Sequence, residues 1–231
     1  MRMCGAVCQP QIITREIVRH TQASQVIFVD TDAGHGYIKS PNNPMGRASV
    51  IAELVCAELG TWLGLNIPPF AIIRDSQIEL ITSGHRPVEY PSFFSRHVDS
   101  SFAYDGTDIL LHRLRRPNDI AKLVVFDTWI RNFDRAGPGQ RNLDNLLLSK
   151  PARKRLYDLI PIDHGQCFIE GGDFINGQYE SIVVHDERVF GRFEHFREFL
   201  THDSVRSATN RLRLTCSRSF IQRRVESLGL I

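Results

Sequence analysis

A helical pattern with one apolar face constrains the fold of the first part of this chain most strongly. From Arg47 to about Gly64, apolar residues recur at helical spacing on a single stripe, namely Ile51, Leu54, Val55, Leu59, Trp62 and Leu63. Gly64 favours the end of this helix, and the two prolines at 68 and 69 prevent its continuation. The pattern therefore predicts one main helix that buries one face.

Short runs of β-branched and aromatic residues on both sides of this helix predict four strands. Residues 26–29 and 37–39 precede the helix and are joined by a turn, and residues 70–73 and 78–82 follow it. The order of strand, strand, helix, strand, strand indicates a small α+β lobe. We place this lobe at residues 11–90, after a flexible tail at residues 1–10.

The remainder, residues 91–231, is predicted to form a second and mostly helical lobe. Pro117 occupies a position that the first turn of a helix tolerates, and a strong helical pattern follows it to about residue 132. Residues 133–145 are polar and form a loop, and the segments 146–148 and 157–160 are short strands around a basic turn. The fold class is therefore α+β with two lobes.

Composition excludes several classes of protein. The 231 residues are 42% apolar and 23% charged, so that neither a disordered nor a fibrous chain is expected. No apolar run approaches the roughly 18 residues that cross a bilayer, and the first ten residues do not resemble a signal peptide. We therefore expect a cytoplasmic protein without a membrane partner. The five cysteines are odd in number and scattered, which argues against a disulfide framework.

Three polar segments in the second lobe carry residues suited to phosphate chemistry. They are residues 132–135 (Asn-Phe-Asp-Arg), 142–147 (Asn-Leu-Asp-Asn-Leu-Leu) and 162–165 (Ile-Asp-His-Gly). Phosphoryl transfer needs a carboxylate that orients the acceptor hydroxyl and oxygen ligands that hold magnesium on the phosphates. A hairpin between Asn145 and Asp163 would bring two such oxygens to one end of a short sheet, with Asp134 facing the substrate. Each residue alone is better explained as an ordinary turn residue, but the three together favour a phosphotransferase.

These segments resemble the catalytic and metal-binding motifs of HipA-like kinases, which are distant relatives of phosphatidylinositol kinases and protein kinases. The motifs are Asp-Arg at 134–135, Asn-Leu-Leu at 145–147 and Asp-His-Gly at 163–165. Upstream, the resemblance continues in the segments 36–39, 52–55, 63–68 and 92–96. It covers about residues 28–167. The resemblance implies a two-lobed protein-kinase-like fold that uses ATP and magnesium.

The resemblance also implies a role for each matching residue. Lys39 would contact the phosphates of the nucleotide, and Glu53 would hold Lys39 in an ion pair. Asp134 would be the catalytic base or the group that orients the acceptor hydroxyl. Asn145 and Asp163 would bind magnesium.

Two of these assignments have rivals in the sequence. HipA-like kinases place the metal-binding Asn about five residues after the catalytic Asp, whereas Asn145 stands eleven residues after Asp134. Asn142 is therefore an alternative metal ligand. Glu58 lies nearer the apolar stripe of the helix than Glu53 does, and a buried carboxylate needs a cation. The order of the motifs nevertheless favours Glu53 as the partner of the lysine.

The turn Gly34-His35-Gly36 is a candidate phosphate loop. Its backbone N–H groups could lie over the phosphates of ATP. A turn with two glycines is, however, more often a simple hairpin turn. No Gly-x-x-x-x-Gly-Lys-Ser/Thr sequence is present, so a P-loop enzyme is not expected.

The resemblance implies a serine/threonine-protein kinase whose partner is a protein substrate. HipA-like toxins, which are longer than this chain, pair with an antitoxin that binds DNA, so an antitoxin-like regulator is also implied. The Arg-rich C-terminal region is interpreted as a solvated helix face and does not directly support nucleic-acid binding. Two alternatives stay open: a kinase-like module that binds nucleotide without turnover, and a kinase for a lipid or small molecule.

Overall fold

Ten segments of the chain are described by the computed structural model of this protein. They are residues 9–20, 25–82, 84–103, 109–132, 134–137, 140–141, 143–149, 155–170, 173–174 and 194–227. Most of the predicted tail at residues 1–10 and most of the predicted basic turn at residues 150–155 lie outside them.

A five-stranded antiparallel sheet forms the first half of the described structure. The strands are β1 (Ile13–Arg19), β2 (Ile27–Thr31), β3 (Gly36–Lys39), β4 (Phe70–Ile73) and β5 (Ser92–Arg96). Their order in the sheet is β1-β2-β3-β5-β4. The main helix, α1 (Gly46–Leu63), connects β3 to β4. The predicted α+β class is therefore confirmed.

The two faces of this sheet are buried by different parts of the chain. On one face, Val29, Ile38 and Phe94 are fully buried and pack with Leu80 and Val88 from the segment between β4 and β5. On the other face, Phe70 and Phe93 pack against Val50 and Ala57 of α1. Because side chains alternate along a strand, Lys39 of β3 lies on the same face as α1.

Helix α1 is buried on more sides than its apolar stripe predicts. Ile51 and Val55 of that stripe are exposed, whereas Glu53 and Cys56 are buried. The prediction of the buried face was wrong at these positions because α1 packs on the sheet and on a second core at once. The helix ends as predicted at Gly64, which adopts the left-handed conformation with φ 86°.

The second half of the structure is a helical layer beside a small sheet. Helix α2 (Asn118–Trp129) contributes Leu123 and Phe126 to a core that also contains Leu59 and Leu63 of α1. The predicted hairpin forms from β9 (Leu146–Ser149) and β10 (Asp158–Pro161), which pair antiparallel. The remaining strands and α-helices among the described residues are β6 (Ser101–Phe102), β7 (Ala136–Gly137), β8 (Gln140–Arg141), β11 (Ile169–Glu170), β12 (Asp173–Phe174), α3 (His202–Thr215) and α4 (Arg218–Ser227).

The strand predictions for the first half of the chain need correction at two places. The segment 78–82 is not a strand and forms only an isolated bridge between Ile81 and Pro87, because it folds over the sheet and buries Leu80. Strand β1 was not predicted. Strand β5 pairs with β3 in the same sheet and lies just beyond residue 90, where we place the end of the first lobe. In the part of the chain that the structure describes, no helix is long and apolar enough to cross a membrane.

Replacing Gly36 with alanine should destabilise the sheet. A Cβ at Gly36 would overlap the ring of Phe94 and lie 2.7 Å from the carbonyl oxygen of Ser95. Overpacking of this kind costs about 1–3 kcal/mol. Gly84→Ala is the matched control, since its new Cβ would meet only Thr82 Oγ1 at 3.8 Å. Urea unfolding of the two variants measures the difference, and equal stabilities would contradict the expectation.

Candidate active site

A buried lysine joins three separate elements. Lys39, at the end of β3, is 4% exposed. Its Nζ donates hydrogen bonds to Glu53 Oε1 on α1 at 2.5 Å and to Asp163 Oδ1 after β10 at 2.9 Å. A buried ammonium needs such compensation because it has lost its hydration. The sheet, α1 and the β9–β10 hairpin therefore meet at this cation.

Glu53 uses both of its carboxylate oxygens in this contact. Oε1 pairs with Lys39, and Oε2 accepts a hydrogen bond from the backbone N–H of His164 at 3.0 Å. The rival Glu58 is also buried, but it stands five residues further along α1. The structure thus brings Glu53 to the lysine, as the order of the motifs predicts.

The charges in this cluster set one another's protonation. Burial acts to lower the pKa of the Lys39 ammonium, but Glu53 and Asp163 outweigh it and raise that pKa above its ordinary value. Burial likewise acts to raise the pKa of Asp163, but the lysine charge outweighs it and holds that pKa below its ordinary value. Lys39 is therefore protonated and Asp163 ionised at neutral pH.

Asp134 and Asn145 contact each other at the end of the hairpin that also carries Asp163. Asn145 Nδ2 donates a hydrogen bond to Asp134 Oδ2 at 2.7 Å. Asn145 immediately precedes β9, and its carbonyl oxygen accepts from the N–H of Ile162 at 3.0 Å, one residue before Asp163. The hairpin thus brings the segments of Asn145 and Asp163 together as predicted. The rival Asn142 lies outside the described residues.

Gly34 and Gly36 are not brought together with Lys39. They lie in and after the turn between β2 and β3, at the opposite end of β3 from the lysine. Gly34 has φ 97°, which a tight turn requires, and Gly36 leaves room for the Phe94 ring. The fold therefore explains why glycine occupies both positions, and the geometry favours a simple hairpin turn over a phosphate loop.

An aromatic cluster on the face of the sheet that carries Lys39 was missed by the sequence reasoning. Phe28 of β2 and Tyr37 of β3 are half-buried, with ring centroids 4.7 Å apart, and His97 lies 5.5 Å from Phe28. Tyr37 and Lys39 are two residues apart in one strand and so share a face. That alternation was visible in the sequence, but the contact with His97 depends on the pairing of β3 with β5.

Comparison with known proteins places the chain in a family. A family model described as HipA-like kinase matches residues 13–213, and the chain belongs to that family. The fold is similar to the crystal structure of the Helicobacter pylori proinflammatory kinase CtkA, with a TM-score of 0.50 and 12% identity. That match covers 87% of this chain and 79% of the other. A search of curated protein sequences found no match.

Membership of this family supports a kinase-like function for this chain. The HipA-like kinase family implies ATP and typically a divalent metal.

Acid should destabilise the protein through His164. Burial and the nearby Arg135 charge lower the pKa of His164 to about 3, from 6.5 in an exposed histidine. Between these values the unfolded chain binds the additional proton, so stability is lost as the pH falls below 6.5. The free energy of unfolding should decrease by up to about 1.4 kcal/mol per pH unit from this group.

Urea unfolding between pH 6.5 and 5 measures this slope. His164→Gln should show a shallower slope than the parent, whereas the exposed control His202→Gln should keep the parent's slope. Equal slopes for the parent and His164→Gln would contradict the expectation. The window lies above the ordinary pKa of Asp163, 3.8, so protonation of that carboxylate in the unfolded chain contributes little.

Proposed function

We propose that this chain is an ATP- and magnesium-dependent phosphotransferase that phosphorylates Ser or Thr of a protein. One observation carries the proposal. The buried Lys39 and Glu53 form a charge cluster with the half-buried Asp163, and Asp134 and Asn145 are hydrogen-bonded to each other at the same end of the β9–β10 hairpin. Membership of the HipA-like kinase family supports the reaction class.

The proposed enzyme has two lobes with the nucleotide between them. The five-stranded sheet with α1 is the first lobe, which ends after β5, and α2, the hairpin and α3 belong to the second. The cluster around Lys39 lies where these two parts meet, because Lys39 and Glu53 come from one part and Asp163 from the other. A nucleotide in this position would contact residues of both lobes.

The donor set fits magnesium. Within the described residues, no group of three or more His, Cys, Asp or Glu side chains is arranged to hold a metal. Magnesium keeps several waters and needs only one or two protein carboxylates beside the phosphates of the substrate. The Asp163 carboxylate and the amide oxygen of Asn145 would hold it, since the amide nitrogen already donates to Asp134. When bound, the metal would neutralise charge on the phosphates.

The remaining residues would bind and orient the substrates. The Lys39 ammonium would contact phosphate oxygens of ATP, and the Asp134 carboxylate would accept a hydrogen bond from the acceptor hydroxyl. The half-buried rings of Phe28 and Tyr37 would stack on the adenine base, since they lie on the same face of the sheet as Lys39. The Ser or Thr hydroxyl of the protein substrate, held by Asp134, would then face the terminal phosphate of ATP.

Asp134→Ala should abolish phosphate transfer while nucleotide binding survives. The carboxylate orients only the acceptor, so its loss should lower transfer about 100-fold or more. Binding of an ATP analogue should change little. The control is Asp144→Ala, since Asp144 is an exposed carboxylate in the same segment as Asn145.

The assay is transfer of labelled phosphate from ATP with magnesium, to the chain itself and to a generic protein. Full transfer by Asp134→Ala would contradict the role of Asp134. A parent protein that binds nucleotide but neither transfers phosphate nor consumes ATP would instead be a binding module without turnover. Transfer to a lipid or small hydroxyl compound alone would contradict the choice of a protein acceptor.

A further inference from the structure

Arg135 is a buried cation beside the proposed catalytic aspartate. Its side chain is fully buried, and its Nε donates to Asp127 Oδ2 at 2.5 Å. Asp127 lies on α2 and its side chain is also fully buried. A buried ion pair of this kind contributes little net stability compared with apolar residues of the same size. Its presence next to Asp134 therefore calls for another explanation.

The other nitrogen atoms of Arg135 bond to the segments that carry the proposed metal ligands. One terminal nitrogen donates to the carbonyl oxygen of Asn145 at 2.5 Å. The second donates to the carbonyl oxygen of Ile162 at 3.3 Å and to His164 Nε2 at 3.2 Å. Arginine has only donors, so His164 Nε2 is the acceptor in this contact. The planar fork of Arg135 thus bridges the two strands of the hairpin at the end where Asn145 and Ile162 meet.

The backbone at Asp163 requires such support. Asp163 has φ 55°, in the left-handed region that a non-glycine residue adopts only at a cost. Its two neighbours, Ile162 and His164, are both bonded to Arg135. The guanidinium therefore holds the chain on each side of the strained residue.

Asp127 extends the same network to the loop of Asp134. Its Oδ1 accepts a hydrogen bond from Asn132 Nδ2 at 3.0 Å. Asn132 Oδ1 in turn accepts from the backbone N–H of Asp134 at 3.2 Å. One carboxylate on α2 thus fixes the position of Asp134 on one side and the guanidinium of Arg135 on the other.

We propose that Arg135, anchored by Asp127, is a positioning residue that sets the distance between the two proposed magnesium ligands and Asp134. The proposal rests on the function proposed above and adds residues that do not touch the substrates. Arg135 is buried and, among the described residues, is hydrogen-bonded to Asn145, Ile162 and His164 besides its anchor Asp127. Its loss should weaken metal binding more than nucleotide binding.

The test is Arg135→Lys, which keeps the charge for Asp127 but loses the fork. The affinity for an ATP analogue is measured by calorimetry with and without magnesium. Without metal, the variant should bind within about threefold of the parent. The gain in affinity that magnesium provides should fall about tenfold, the size of effect seen when groups that orient metal ligands are removed.

A second variant tests the same role from the other side of the ion pair. Asp127→Asn keeps an acceptor for Asn132 but removes the charge that anchors Arg135. It should therefore also reduce the gain in nucleotide affinity that magnesium provides. The double variant should lose little more than either single variant, because the two residues act as one unit. Losses that add fully would overturn the proposal.

The control for general destabilisation is Leu123→Ala. Leu123 is fully buried on the same helix as Asp127 and belongs to the apolar core. This variant should lose thermal stability, but magnesium should increase its affinity for the ATP analogue as much as it does for the parent. The proposal is overturned if magnesium increases the affinity of Leu123→Ala as little as that of Arg135→Lys. It is also overturned if magnesium increases the affinity of Arg135→Lys as much as that of the parent.

Because the readout is binding, it does not depend on turnover. A parent that binds nucleotide and magnesium without transferring phosphate would refute the proposed function and still allow this test of Arg135. A parent in which magnesium gives no gain in nucleotide affinity would refute the metal assignment and the role of Arg135 together.

Discussion

The buried ammonium of Lys39 is the constraint on which the rest of the structure depends. A charge that has lost its water is tolerated only with close counter-charges, here Glu53 and Asp163. These two carboxylates come from α1 and from the end of the β9–β10 hairpin. The lysine can therefore be satisfied only when the sheet, α1 and the hairpin are packed in one arrangement, and that arrangement is also the one that forms the proposed site.

A second buried ion pair, Asp127–Arg135, extends this arrangement into the loop of Asp134. His164 connects the two pairs, because its backbone N–H donates to Glu53 and its ring accepts from Arg135. Asp163, between Ile162 and His164, is thus fixed from both sides. The polar groups buried here are satisfied by one another, which is the condition under which a buried network specifies a single geometry.

The positions of the candidate site residues could be predicted because their types and order are local properties of the chain. The sequence predicts Lys39 in a strand, Asp134 in a loop, and Asn145 and Asp163 at one end of a hairpin, and the structure has them there. The strand predicted at residues 78–82 does not form, and Ile51 and Val55, which belong to the apolar stripe that was predicted to be buried, are exposed. In both cases the pattern is also local, but the outcome depends on which surface the segment packs against, and α1 packs on two cores.

The sequence by itself determined the α+β class, the main helix with its end at Gly64, the hairpin and the set of candidate site residues. Propensity, turn residues and the order of motifs suffice for these. Only the tertiary structure decided that Glu53 rather than Glu58 meets Lys39, and that Arg135 binds both strands of the hairpin at the end that carries Asn145 and Asp163. These contacts join residues distant in the chain, and their partners follow from how buried charges are compensated after the elements pack.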